Sequence, residues 1–295
     1  MDFNKNDFTN SKSYKLINKN YMRVSFIIVA ILIFLSTATY CLSQDLKNSL
    51  RLQIGLGHIA RQDFVFSPFI HRDLSPLNFG ICYQRDKKYF QNANLRLALL
   101  SPSHSDIYQF FDDNKKETTS PHFFTLVDLD YWFGKSIKQT DKVSTKVGLS
   151  VNADIQALNY VYGRIGSFGY FSSFGLGGFV NQTYKFNDKN SLTAYASMPI
   201  ISWFARSPYL VNDDEFIENT SSHSGVKTFF AFIGDGKPAT LNRLQMVDIG
   251  ANYTYHLSPK WDIGISYLFE FIHSSKPRNL LSYKNSIFFN TNFNF

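Results

Sequence analysis

The feature that most constrains this chain is a strict alternation of apolar and polar residues, kept up for about ten residues at a time. Leu77, Phe79, Ile81 and Tyr83 alternate with Asn78, Gly80, Cys82 and Gln84. Val147, Leu149, Val151, Ala153 and Ile155 alternate with Gly148, Ser150, Asn152, Asp154 and Gln156. The same rhythm runs from Val247 to His256 and from Trp261 to Glu270. A period of two is the signature of a strand with one apolar face. Globular strands average roughly 5–6 residues, whereas a tilted strand needs about 9–11 to cross a bilayer.

Ten such segments are expected, at about 49–60, 76–85, 89–101, 123–137, 144–160, 172–186, 191–205, 243–257, 261–274 and 282–295. The even-numbered connections, 86–88, 138–143, 187–190 and 258–260, are short and turn-like. The odd-numbered ones, 61–75, 102–122, 161–171, 206–242 and 275–281, are mostly longer. Short turns thus fall at one end and long loops at the other, the asymmetry of membrane barrels with short periplasmic turns and long external loops. A soluble sandwich has no reason to sort its loops this way. The expected fold is all-β: a transmembrane antiparallel β-barrel of about ten strands with both termini periplasmic.

Composition agrees. Charged residues make up 18% of the 295 residues and aromatics 17%, against roughly 25% charged in soluble domains. Mean hydropathy is nevertheless −0.18, which excludes a bundle of membrane helices. Two cysteines exclude a disulfide scaffold.

Only Val24 to Leu35 is continuously apolar. Twelve residues are too few for a membrane helix, which needs about 20. They fit the apolar core of a secretory signal peptide. Lys15, Lys19 and Arg23 precede it, and Cys41 and Ser43 suit the −3 and −1 positions of a cut before Gln44. The expected division is therefore a leader at 1–43, with Met22 as an alternative start, and a barrel at 44–295. Bulky Tyr40 argues against Cys41 as a lipoprotein cysteine. The leader holds five basic and two acidic residues, so of 30 basic and 23 acidic residues 25 and 21 remain, a net of +4. That mild charge on an exported chain gives no case for a nucleic-acid partner.

The final segment reads Ile287-Phe-Phe-Asn-Thr-Asn-Phe-Asn-Phe295, with Phe289, Phe293 and Phe295 on one face. Here the chain resembles bacterial outer-membrane β-barrel proteins as a class, and its Asn- and Phe-rich composition looks like those of Bacteroidota. The resemblance implies that Phe293 and Phe295 form the signal read by the barrel-assembly machinery. It also implies outer-membrane lipid as the surrounding medium.

If the apolar face meets lipid, the other face lines the lumen. Arg51, Arg96, Lys146, Lys185 and Lys284 fall on it, as do Asp128, Asp130, Asp154, Asp248, Asp262 and Glu270. A charge on the lipid face near mid-bilayer costs about 2–4 kcal/mol, so their common phase supports the register. A pore usually carries one sign in excess; here the signs nearly balance, so the charges are expected to form a network filling a narrow lumen. Phe179, Tyr195, Trp203 and Phe288 are expected to add bulk inside.

The loops carry residue types found in outer-membrane enzymes. Asp213, Asp214, Glu215, Glu218 and His223 lie in 206–242, and Asp63 and His71 to Asp73 in 61–75. No spacing matches a protease motif. His104-Ser105, His223-Ser224 and His273-Ser274 are adjacent pairs, but strand neighbours point to opposite faces. Asp128 and Asp130 share a face that suits a cation, and nearby basic groups explain them as well. No histidine pair has ligand spacing. The sequence therefore assigns no catalytic residue, no metal ligand and no cofactor. Gly175-Leu-Gly-Gly178 is expected to mark a strand bend. Val226 to Ile233 in loop 206–242 is an apolar run, expected to extend the neighbouring strands or to meet a protein partner. The role expected is a non-enzymatic structural, interaction or limited-transport component, with a rim enzyme or a small-solute pore as alternatives.

Overall fold

In the computed structural model the alternating segments are strands of one closed sheet. Residues 48–104, 109–112, 115–118, 121–162, 165–208 and 225–295 are described. The leader expected at 1–43 lies outside them, as do Asp213, Asp214, Glu215, Glu218 and His223.

The strands are β1 (Asn48–Asp63), β2 (Ser67–Asp86), β3 (Phe90–Leu100), β4 (Gln109–Asp112), β5 (Lys115–Thr118), β6 (Phe123–Gln139), β7 (Val143–Tyr162), β8 (Ile165–Asn187) and β9 (Asn190–Arg206). After helix α1 (Gly225–Gly234) come β10 (Lys237–Thr240), β11 (Leu244–His256), β12 (Trp261–Ser274) and β13 (Leu280–Asn294). Each of ten long strands is antiparallel to its neighbours in the ring β9-β11-β12-β13-β1-β2-β3-β6-β7-β8, and β8 pairs with β9 to close it. At the seam of first and last strands, Asn48 and Phe295 exchange two backbone hydrogen bonds of 3.1 and 2.9 Å. Closure removes sheet edges, which is what lets β-structure sit in hydrocarbon.

The outer face carries the apolar set. Ile54, Phe79, Ile81, Leu149, Val151, Ile249, Ile265 and Phe289 are all exposed. Tyr83, Tyr184, Tyr253 and Trp261 are exposed near the short-turn end, where an aromatic girdle belongs. The opposite face is buried and polar: Ser150, Ser286 and Asn290 have no exposed surface.

Two expected loops are not loops. Segments 61–75 and 161–171 continue β1–β2, which turns within 64–66, and β7–β8, which run to Tyr162 and from Ile165. At about 3.3 Å per residue and a tilt near 40°, a 20-residue strand rises roughly 50 Å, about twice the ~25 Å apolar band. The walls therefore project past the membrane on the outer side. There the outward face meets water, so the alternation fades although the strands continue.

Two bulges reset the phase. Gly177 pairs with Pro199 and Leu176 with Ile201, leaving Ile200 unmatched. Inward positions on β9 switch from odd to even at this point, so Trp203 faces outward and is exposed, contrary to its expected place inside. Phe179 and Phe288 are buried as expected. On β2 the register shifts between Ser75 and Asn78, opposite Gly57 and Gly55. Below it Asn78 and Cys82 face in; above it the odd residues do, including His71.

The apolar run in 206–242 is helical rather than an extension of strands. α1 lies on the outer face of β8–β9, where Phe232 stacks on Tyr170 at 4.1 Å and Trp203 Nε1 donates to Ile233 O at 2.8 Å. Among the described residues of this segment only β10 extends the sheet, pairing with the outer end of β9.

Candidate functional site

The lumen divides into three levels. At mid-height, adjacent strands present charges in one register. Asp154, Asp128 and Arg96 are successive cross-strand partners on β7, β6 and β3. Asp248, Glu270 and Lys284 are successive partners on β11, β12 and β13. These two groups stand on opposite walls and join across the lumen. The Arg96 guanidinium lies 2.9 Å from Asp130, 3.8 Å from Asp128, 3.5 Å from Glu270 and 3.6 Å from Asp248. Lys284 Nζ lies 2.9 Å from Glu270 and 3.2 Å from Asp128. Asn152 Nδ2 donates to Asp130 at 2.6 Å, and Gln156 Nε2 to Asp154 at 3.0 Å. The free space beside this cluster is about 40 Å³, room for a water or two.

Above the charges, on the same strands, two buried apolar clusters line the lumen. Ile59, Phe124, Leu126, Leu158 and Tyr160 form one buried cluster. Phe171, Leu244, Met246, Ile272 and Leu280 form another. Below the charges, Trp132 stacks on Phe179 at 5.0 Å, with Phe90 and Tyr195 beside them. Beneath this aromatic layer a polar vestibule of about 450 Å³ opens at the short-turn end, lined by Arg51, Lys146, Lys185 and Asp262 among others.

No protein-family model matches the sequence, and no curated protein matches it. Among solved structures, outer membrane protease OmpT from Escherichia coli aligns with a TM-score of 0.52 at 8% identity, over 88% of this chain and 100% of that one. The translocator domain of autotransporter NalP from Neisseria meningitidis aligns at a TM-score of 0.40 and 8% identity, over 95% and 99%. The likeness to OmpT is one of fold. The chain has the fold of an outer-membrane β-barrel.

Of the barrel's eleven expected inner charges, the structure brings six into one ion-paired cluster: Arg96, Asp128, Asp130, Asp248, Glu270 and Lys284. Asp154 adjoins it as Asp128's cross-strand partner. The remaining four sit lower. Lys146 pairs with Asp86, Arg51 Nε donates to Asn292 Oδ1 at 2.9 Å, and Asp262 lies 2.7 Å from His256 Nδ1. Lys185 is exposed at the mouth of the vestibule. The near balance of signs along the lumen therefore conceals an uneven split: the central cluster with Asp154 holds two cations and five carboxyl groups.

A second buried ion group went unforeseen. Asp63, a rim candidate by sequence, lies between Arg61, at 3.0 Å, and Arg206, and all three side chains are buried. Arg61 also donates to Gln156 Oε1 at 2.8 Å, and Arg206 to the carbonyls of Lys276 and Arg278 at 3.1 and 2.7 Å. Residues 61, 156 and 206 come from three strands, so no local spacing announces them. His273 and Ser274 point to opposite faces as alternation requires: His273 Nε2 meets Asn279 Oδ1 at 3.0 Å, and Ser274 Oγ donates to Lys276 O at 2.9 Å. At the last strand, Phe293 lies 5.0 Å from Trp261 and 5.9 Å from Phe295 by ring centroid, on the outer face.

Proposed function

We propose that this barrel is a non-conducting, non-enzymatic component of the outer membrane that works through its outer rim as a structural or interaction element. The observation that carries this reading is the pairing of Arg96 and Lys284 with carboxylates on the opposite wall, capped by two apolar clusters. An ion would have to break several buried charge pairs at mid-height and then pass two apolar clusters and the buried Arg61–Asp63–Arg206 group. Pores of this architecture instead keep a polar, water-filled interior.

Loop 206–242, through α1 with its exposed Phe230, is the surface offered to a protein partner. Phe293 and Phe295 serve insertion by the assembly machinery. A protease activity like that named for OmpT is not adopted: of the carboxylates in 61–75, Asp63 is engaged by two arginines and Asp73 Oδ2 accepts from Ser101 N. The test is conductance: purified protein in planar bilayers gives no stable single-channel steps. Reproducible steps would establish the small-solute pore in its place, and hydrolysis of peptide or phospholipid by the purified barrel would establish the rim enzyme.

A further inference from the structure

Outside the lumen site, three histidines meet at the top of the wall. β3 runs out at Leu100, but the chain continues alongside β2. Arg72 and Ser103 exchange backbone hydrogen bonds of 2.9 and 3.0 Å, and Ser101 N donates to Asp73 Oδ2 at 2.6 Å. With Arg72 opposite Ser103 in an antiparallel bridge, His71 falls opposite His104, where directly paired side chains touch. His122, just before β6, enters from the other side. The ring centroids of His71 lie 5.3 Å from those of His104 and 4.9 Å from those of His122. One nitrogen from each of the three lies within 4.8 Å of the others.

His71 is fully buried, and neither of its ring nitrogens has a hydrogen-bond partner among the described residues. Buried polar groups are almost always satisfied, so an imidazole whose nearest polar neighbour is the Phe69 backbone, outside good hydrogen-bond geometry, demands an explanation. Tyr160 closes the floor edge-on at 5.4 Å, while His104 is exposed and gives access from outside.

We propose that His71, His104 and His122 form a site for a borderline divalent transition metal of the zinc class. Bound there, the metal fastens the segment after β3 to the outer end of β2 and β6. Three imidazoles and an open fourth position suit zinc, copper(II) or nickel(II); harder cations prefer oxygen. Zinc–nitrogen bonds of about 2.0–2.1 Å require donors roughly 3.4 Å apart, so the cluster closes by a little over 1 Å. The exposed His104, on the irregular segment after β3, makes that movement. His122 Nδ1 now accepts from Val161 N at 2.8 Å, so ligation through that nitrogen costs this hydrogen bond. All three rings must be neutral to ligate. Burial, together with the neighbouring imidazoles, holds both His71 and His122 down to about 4.

The test uses tag-free, full-length barrel in detergent, titrated with zinc chloride against a chromophoric chelator. Wild type is expected to take up one zinc per barrel. His104→Ala, an exposed position that leaves the core intact, is expected to weaken binding roughly 100-fold. His71→Ala should do the same, and if it fails to fold the His104 variant carries the result. Cobalt(II) chloride supplies a second readout: intense tetrahedral ligand-field bands in wild type, lost in His104→Ala. The proposal is overturned if wild type binds less than one equivalent, if both variants keep wild-type affinity, or if cobalt gives only the octahedral spectrum.

Discussion

Removing the Arg96 guanidinium would expose what the central charges contribute. Arg96→Met keeps the length and apolar stem but withdraws the one cation that faces Asp128, Asp130, Asp248 and Glu270, at distances of 2.9 to 3.8 Å. Lys284 remains, and it touches only Asp128 and Glu270. Each contact is worth about 4 kcal/mol of gross attraction at an effective dielectric constant near 20. Desolvation offsets most of that in the intact cluster. Deleting one partner forfeits the attraction and leaves the carboxylates buried, which costs about 3–5 kcal/mol. Arg96→Lys keeps the charge but loses the planar fork that spans several carboxylates, so a smaller loss is expected. Arg96→Met with Asp130→Asn removes one stranded carboxylate and should recover part of the loss, about 0.5–3 kcal/mol of coupling. The assay is reversible urea unfolding in phospholipid vesicles, followed by tryptophan fluorescence and by the heat-dependent shift of folded barrel on gels. A loss under about 1 kcal/mol for Arg96→Met, or no recovery in the double variant, would refute the view that cross-lumen pairing holds the opposite walls.

Leu149, 61% exposed on the outer belt, should tolerate no charge: Leu149→Arg is expected to cost about 2–4 kcal/mol in the same vesicle assay, whereas Lys185→Ala at the vestibule mouth should cost almost nothing. Near-equal effects would invert the assignment of faces. The rim should weaken on mild acidification. Unfolded histidines take up protons near 6.5, whereas His71 and His122 do so only near 4, so stability falls as pH drops from about 6.5 toward 4. The gel-shift midpoint of wild type should fall across that window and that of His71→Phe should fall less; parallel curves would show that these rings do not contribute.

Much of the barrel was legible because lipid imposes a simple rule on each strand. From Leu77 to Tyr83, or from Trp261 to Phe269, every second side chain must be apolar, and a period of two can be read without knowing any contact. The same rule located Arg96, Asp128, Glu270 and Lys284 on the inner face. It failed where the constraint lapses. Above the membrane the outward residues meet water, so the continuation of β1 and β2 through 61–75 reads as a loop. Trp203 was misplaced because a bulge at Ile200 adds one residue and reverses the parity of everything after it. The run Val226 to Ile233 suits a strand or a helix equally by composition, and packing of Phe232 on Tyr170 decided for the helix.

The sequence by itself determined that this chain is a barrel of ten membrane-crossing strands, which side chains face lipid wherever no bulge resets the phase, and at which end the turns are short. These are local properties, fixed by alternation and turn length. Only the tertiary structure decided which inner charges meet. Closure sets Arg96 against Glu270, 174 positions away, and leaves Lys146 and Arg51 outside that cluster. Likewise His71, His104 and His122 share no spacing that announces a site. They converge because a bulge at 76–77 turns His71 inward, a single backbone bridge sets His104 opposite it, and β6 begins beside them. Contacts of that kind follow from the register of neighbouring strands and the curvature of the wall, which alternation within one strand does not encode.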